Sequence, residues 1–263
     1  MSGAIAGGDA ELDMSGRRVL ISGGSTGIGA AAARRLHRWG AEVALVARRS
    51  EPLDTLVSEL GSERAHSFTC DLSDPDQLDG IVDRVTARMG GLDAVVSCAA
   101  RADWMPFGDL DHSTFRAMMD LNVWAPLRLV QTARASLADA ADPVVVLLGS
   151  VDGERPSPGA VAYGATKGAV RAATVALAKE LAPDGIRVVE VDPGLVDTPM
   201  VADLRRELGE AQHRINLAGR FGRPEEVAGL IHYLVSPVGR FANGSVWRLD
   251  GGALTMGPFD ATR

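Results

Sequence analysis

Tyr163 and Lys167 stand four residues apart in Tyr163-Gly164-Ala165-Thr166-Lys167, inside an apolar-rich stretch over Val161–Leu181 that reads as a long helix. At that spacing a phenol and an ammonium share one helix face. The pair suits interconversion of a ketone and an alcohol, in which a proton must reach or leave oxygen as a hydride reaches or leaves carbon. A free Tyr keeps its proton to about pH 10. A neighbouring cation stabilises the phenolate and brings that value down. Taken alone the spacing arises often by chance; the surrounding landmarks make it specific.

A second constellation is Ser22-Gly23-Gly24-Ser25-Thr26-Gly27-Ile28-Gly29. It lies between the apolar run Arg17–Ser22 and the helical stretch Ile28–Trp39. Glycines there let the backbone approach a pyrophosphate, and the following helix start offers unpaired N–H groups to it. Ser25 adds a hydroxyl for the same phosphates. An NAD enzyme places an acid about 20 residues past the loop to hold the ribose hydroxyls. Here the second strand ends in Val46-Ala47-Arg48-Arg49, with no carboxylate. Guanidinium groups suit a 2′-phosphate. NADP(H) is therefore favoured and NAD(H) kept as the alternative, since one or both arginines would otherwise be a solvated loop.

The elements that must position these groups follow from the patterning. Apolar runs at Ala41–Ala47, Ala65–Thr69, Leu92–Ser97, Pro143–Leu148, Ile186–Val191 and Ser245–Leu249 alternate with helical stretches, among them Pro75–Met89 and Ser113–Leu137. Strands alternating with helices imply a parallel sheet covered on both faces. Pro143–Leu148 shows no polar alternation and should be buried on both sides. The loosely patterned insertion at about residues 198–222 is expected to form a lid.

Composition narrows the function classes. The 263 residues suffice for one large α/β domain, and a net charge of −7 without a dense cationic run argues against nucleic-acid binding. The two cysteines, Cys70 and Cys98, give neither a disulfide framework nor metal-ligand spacing. No metal is expected, and no apolar run approaches the roughly 18 residues that span a bilayer. Residues 1–14 read as a flexible leader without signal-peptide features, residues 15–256 as the domain and residues 257–263 as a tail. A cytoplasmic protein is the default expectation.

The longer glycine spacing, G-x-x-x-G-x-G, resembles that of the short-chain dehydrogenase/reductase family, and further motifs agree. Asp192-Pro193-Gly194 follows the sixth strand, Arg220-Phe221-Gly222-Arg223-Pro224-Glu225-Glu226 opens a helix, and Asp250-Gly251-Gly252 closes the last strand. The resemblance spans about Gly16 to Gly252 and is similar to 3-oxoacyl-ACP-reductase-like members. It implies an α/β, doubly wound Rossmann-type three-layer sandwich with seven parallel strands in the order 3-2-1-4-5-6-7. It implies a catalytic quartet of Asn122, Ser150, Tyr163 and Lys167. Ser150 would polarise the substrate oxygen, and Asn122 would support a proton relay to Lys167. The cofactor would meet Gly23, Ser25, Thr26, Gly27, Ile28, Gly29, Arg48, Arg49, Asp71, Leu72, Ala99, Tyr163, Lys167, Pro193, Gly194, Val196 and Thr198. The resemblance further implies a homotetramer or homodimer acting on a small carbonyl or alcohol substrate.

Two departures stand out. Ser97-Cys98-Ala99-Ala100 replaces the family's usual Asn-Asn-Ala-Gly, which puts cofactor fit at issue. Asp152, Glu154 and Arg155 crowd the residues after Ser150, reading either as a polar-substrate site or as a solvated loop. Arg101, Trp104, Met105 and Phe107 either line the pocket or pack under the lid. A nucleotide-binding regulatory or structural protein without turnover, and an epimerase with no net redox change, stay as alternative functions.

Overall fold

The computed structural model describes residues 11–256. Seven strands form one parallel sheet: β1 (Arg18–Ser22), β2 (Glu42–Ala47), β3 (Ala65–Thr69), β4 (Ala94–Ser97), β5 (Val144–Leu148), β6 (Arg187–Pro193) and β7 (Val246–Leu249). Their order is β3-β2-β1-β4-β5-β6-β7, as expected. The order reverses between β1 and β4, so a crevice opens at the carboxyl ends of the strands there.

Alternate residues of each strand face opposite layers. Val19 and Ile21 of β1 pack with α1 (Gly27–Arg38), α2 (Ser50–Leu60) and α8 (Pro224–Val235). Leu20 faces the other layer, built by α3 (Pro75–Met89), α5 (Ala125–Ala138) and α6 (Val161–Glu180). All of β5 is buried, which explains its unbroken apolar run. Local signals set the helix ends. Pro75 and Pro224 occupy first turns, where a missing N–H costs nothing. The Asp74 carboxylate accepts from the Asp76 N–H at 3.0 Å. Glu226 accepts from the Arg223 N–H and pairs with Arg220, which holds its carboxyl down at about 2.

The helix expected over Ser113–Leu137 is interrupted. It runs as α4 (His112–Met119), a π turn at Asp120–Trp124, and α5. Pro126 has no N–H to offer the Asn122 carbonyl at the α-helical spacing. The wider turn also carries Asn122 inward, where its amide finds partners. The insertion between β6 and α8 holds a short helix, α7 (Ala202–Leu208), flanked by 3₁₀ turns. Gly222 then returns beside Val196 in a parallel bridge.

Residues 11–14 belong to the segment read as a leader. Met14 is buried in the core and the Leu12 carbonyl is bonded to His232 Nε2 at 2.8 Å, whereas Glu11 and Asp13 are exposed. The tail at 257–263 and the leader up to residue 10 lie outside the described residues. Both cysteines are free.

Candidate active site

β1 ends at Ser22, and the chain turns through Gly23 into α1. A Cβ at Gly23 would sit 2.7 Å from the Ala99 N, and φ there is +65°. A Cβ at Gly29 would overlap the Gly23 carbonyl oxygen. Glycine is thus required at both positions for the turn to lie flat against the β4 loop. Thr26 precedes α1 without capping it by its side chain, which leaves the first helical N–H groups facing the crevice. Ser25, Thr26, Gly27 and Ile28 line that crevice with Arg48 and Arg49. Among the described residues neither arginine is in an ion pair. This is a cradle a Cβ would fill, with free N–H groups and two cations beyond it, and it fits a phosphorylated dinucleotide.

The altered β4 segment fits too. Ser97 Oγ lies 3.3 Å from Ser22 Oγ, and Ser22 Oγ accepts from the Ala99 N–H at 3.2 Å. The two hydroxyls brace β1 to β4 where amides were expected. Ala100 lines the crevice without a positive φ, so its Cβ brings no backbone strain. Leu72 and Ala99 also line it. Asp71 does not. Its carboxylate accepts from the Ser73 N–H and hydroxyl, and these bonds together with the nearby Arg48 charge hold its pKa low against burial.

At the ends of β5 and β6 a second, larger hollow of about 670 Å³ contains Ser150, Tyr163, Lys167, Pro193, Gly194, Val196 and Thr198. Ile28, Cys98, Ala100, Thr198 and Met200 line both hollows, so the two are continuous. Ser150 leaves β5 in extended conformation. Tyr163 is 8% exposed, and burial holds its phenol above the ordinary range. The Ser150 hydroxyl, its hydrogen-bond partner, draws it back, while the charges of Asp152 and Asp192 push it further up. The lowering expected from Lys167 is not seen, and burial dominates. Lys167 Nζ lies 5.6 Å from the Tyr163 ring centroid and donates to the Leu148 carbonyl at 2.7 Å. Burial pulls its ammonium down to about 8, with Glu190 and Asp192 opposing.

Asn122 lies behind this site. Its Oδ1 accepts from the Arg101 N–H, and its Nδ2 donates to the Arg101 carbonyl, both at 2.8 Å. Nδ2 also reaches Thr166 Oγ1 at 3.1 Å, tying the β4 loop to the helix that carries Tyr163 and Lys167. Trp104 does line the hollow, with its ring 5.9 Å from that of Tyr163.

Two features escaped the sequence reading. The lid contributes Asp203, Leu204 and Glu207 to the hollow. Beneath Gly149, Glu190 and Asp192 lie fully buried side by side. Glu190 Oε1 and Asp192 Oδ1 have no hydrogen-bond partner, and burial together with the neighbouring Asp192 raises the Glu190 carboxyl well above its ordinary range. Two acids at alternate positions of one apolar strand were the available signal.

Residues 23–254 match the family model described as Enoyl-(Acyl carrier protein) reductase. The chain is similar to cis-4-hydroxycyclohexanecarboxylate dehydrogenase of Sinomonas cyclohexanicum, 31% identical over 90% of this chain and 96% of that one. It is also similar to cyclopentanol dehydrogenase of a Comamonas species, 32% identical over 89% and 95% respectively. Among solved structures, a short-chain dehydrogenase from Burkholderia cenocepacia in complex with NADP superposes with a TM-score of 0.86. It is 34% identical, covering 92% of this chain and 99% of that one.

Proposed function

The chain belongs to the short-chain dehydrogenase/reductase family, oxidoreductases of CH–OH and C=O groups, and from that premise we propose that it interconverts a ketone and a secondary alcohol with NADP(H). The observation that carries this reading is the grouping of Ser150, Tyr163 and Lys167 in a hollow continuous with the glycine cradle. The cradle and the first turn of α1 would hold the pyrophosphate. Arg48 and Arg49 would hold the 2′-phosphate, and the NADP bound to the Burkholderia relative supports that choice over NAD. When bound, the cofactor supplies or removes the hydride.

The protein's part is the proton. Ser150 donates to the substrate oxygen and steadies charge as it develops there. Tyr163 is held protonated by burial, so in the reducing direction it is ready to give its proton to the alkoxide. Lys167 keeps a positive charge below about pH 8, which stabilises the phenolate left behind. Asn122 fixes the loop and helix that carry these groups, and serves the relay to Lys167. The related enzymes are named for an anionic and a neutral alicyclic alcohol, so kinship leaves the substrate's charge open.

We also propose a cytoplasmic homotetramer. Trp124, Val161 and Val175 stand exposed on the π turn and α6, apolar surface that a second copy would cover. Light scattering should find four chains of 27.6 kDa.

Tyr163→Phe tests the reaction itself. Ketone reduction should fall by roughly 10²- to 10⁴-fold, the ordinary worth of a positioned proton donor, with NADPH binding retained. Unchanged turnover would overturn the assignment. Reduction by the parent enzyme should also decline as pH rises through about 8, where Lys167 loses its proton.

A further inference from the structure

The charges of the larger hollow are lopsided. Trp104, Val151, Pro158, Leu195, Met200 and Leu204 supply apolar walls. Such a lining, with few polar groups, suits a bulky hydrocarbon frame better than a polyol, which needs many converging hydrogen bonds. The one cation in the lining is Lys167, whose ammonium is already bonded to the Leu148 carbonyl. The other charged residues of the lining are all acids: Asp152, Asp203 and Glu207.

These acids are not equivalent. Asp203 is paired with Arg206 on the lid surface, which offsets its charge. Glu207 is exposed at the mouth, where solvent screens it. Asp152 is half-buried and close enough to the reacting phenol for its charge to act on it. Its Oδ1 accepts from the Ser157 N–H at 2.9 Å, which fixes the carboxylate in place. Among the described residues it has no cationic partner. Of the nearby arginines, Arg205 pairs with Asp197 at 2.6 Å, Arg206 with Asp203, and Arg155 with the Ala253 carbonyl at 2.8 Å.

We infer that this site takes apolar carbonyl compounds without an anionic group, and that Asp152 is the residue that turns anionic ones away. The inference rests on the carbonyl-reduction reading above. A carboxylate or phosphate on the substrate would enter a half-buried space beside a fixed negative charge, where among the described residues the one lining cation, Lys167, is already bonded to the Leu148 carbonyl. Repulsion is weakly screened there. A neutral frame meets only the apolar walls. Asp152 therefore acts as a filter on substrate charge, separate from the proton chemistry of Tyr163.

The test compares two ketones of one ring, 4-tert-butylcyclohexanone and 4-oxocyclohexanecarboxylate, in NADPH-linked assays of the full chain and of Asp152→Asn. Asn keeps the acceptor oxygen for the Ser157 N–H, and circular dichroism with NADPH titration checks that the variant is folded. The parent should favour the neutral ketone by at least about 30-fold in kcat/KM. Asp152→Asn should shrink that ratio about tenfold, mainly through a lower KM for the carboxylate. Preference of the parent for the carboxylate, or the same ratio in both proteins, would overturn the charge filter while leaving carbonyl reduction standing. Turnover of neither ketone, with NADPH still bound, would overturn the reduction reading and the filter with it.

Discussion

Along β1 the crevice is walled by backbone. Gly23 and Gly29 allow no side chain, the start of α1 presents N–H groups, and the charges beyond, Arg48 and Arg49, are positive. At the ends of β5 and β6 the wall is made of side chains, and apart from Lys167, bonded to the Leu148 carbonyl, the charged residues facing it, Asp152, Asp203 and Glu207, are acids. The two ends differ because their tasks differ. Phosphates look alike in every dinucleotide, so fixed backbone geometry can receive them. A substrate must be told from its competitors, and that takes shape and charge in replaceable side chains.

The contrast is broken most severely at Gly29. Gly29→Ala would press a Cβ into the Gly23 carbonyl and spread the cradle. NADPH affinity should fall by about 100-fold or more, equivalent to roughly 2.7 kcal/mol, while the substrate side keeps its native near-UV signal. Isothermal titration decides this, and unchanged affinity would show that the cradle is not the nucleotide site.

Asn122 joins the two ends. Asn122→Ala strands the Arg101 N–H and carbonyl in a part-buried place and takes one bond from the Thr166 hydroxyl, which keeps its bond to the Tyr163 carbonyl. With a stranded buried group worth about 1–3 kcal/mol, urea denaturation should show a loss of about 2–3 kcal/mol. A loss below about 0.5 kcal/mol would mean that the amide is not the link.

Glu190 and Asp192 sharpen the substrate side. Glu190 Oε1 and Asp192 Oδ1 lie unpartnered beneath Gly149, and the raised Glu190 carboxyl favours its protonated form in the folded state. The folded state then keeps a proton that the unfolded chain releases near 4.5. Stability contributed by that proton is full below the unfolded value and is lost as pH rises towards the raised folded value. Glu190→Gln is neutral throughout. It should flatten the decline in unfolding free energy between pH 5 and pH 8 by about 1–2 kcal/mol. An unchanged slope would mean that Glu190 keeps no proton in the folded state.

The same contrast explains what the sequence made legible. The parallel sheet followed from strands alternating with helices, its order from the family resemblance, and the glycine cradle from its spacing and its place between a strand and a helix, because backbone demands leave few residue choices. The Tyr163–Lys167 pair followed from helical periodicity. A one-dimensional motif does not show that the Asp71 carboxylate is engaged by Ser73 while its neighbours Cys70 and Leu72 line the crevice. The break at Asn122 had a local cause, Pro126, whose effect falls four residues upstream. The Glu190–Asp192 pair was open to reading as two acids at alternate positions of one apolar strand, whereas the charge imbalance of the hollow joins residues far apart in the chain, such as Asp152 and Glu207, that only folding brings together.

The central claim is an NADP(H) site whose cationic end selects the 2′-phosphate. Fluorescence titration of the protein and of Arg48→Ala with NADPH and NADH tests it most directly. The account predicts tighter binding of NADPH and, in Arg48→Ala, a loss of about tenfold for NADPH alone, or about 1.4 kcal/mol. Tighter binding of NADH, or equal weakening of both, would contradict it.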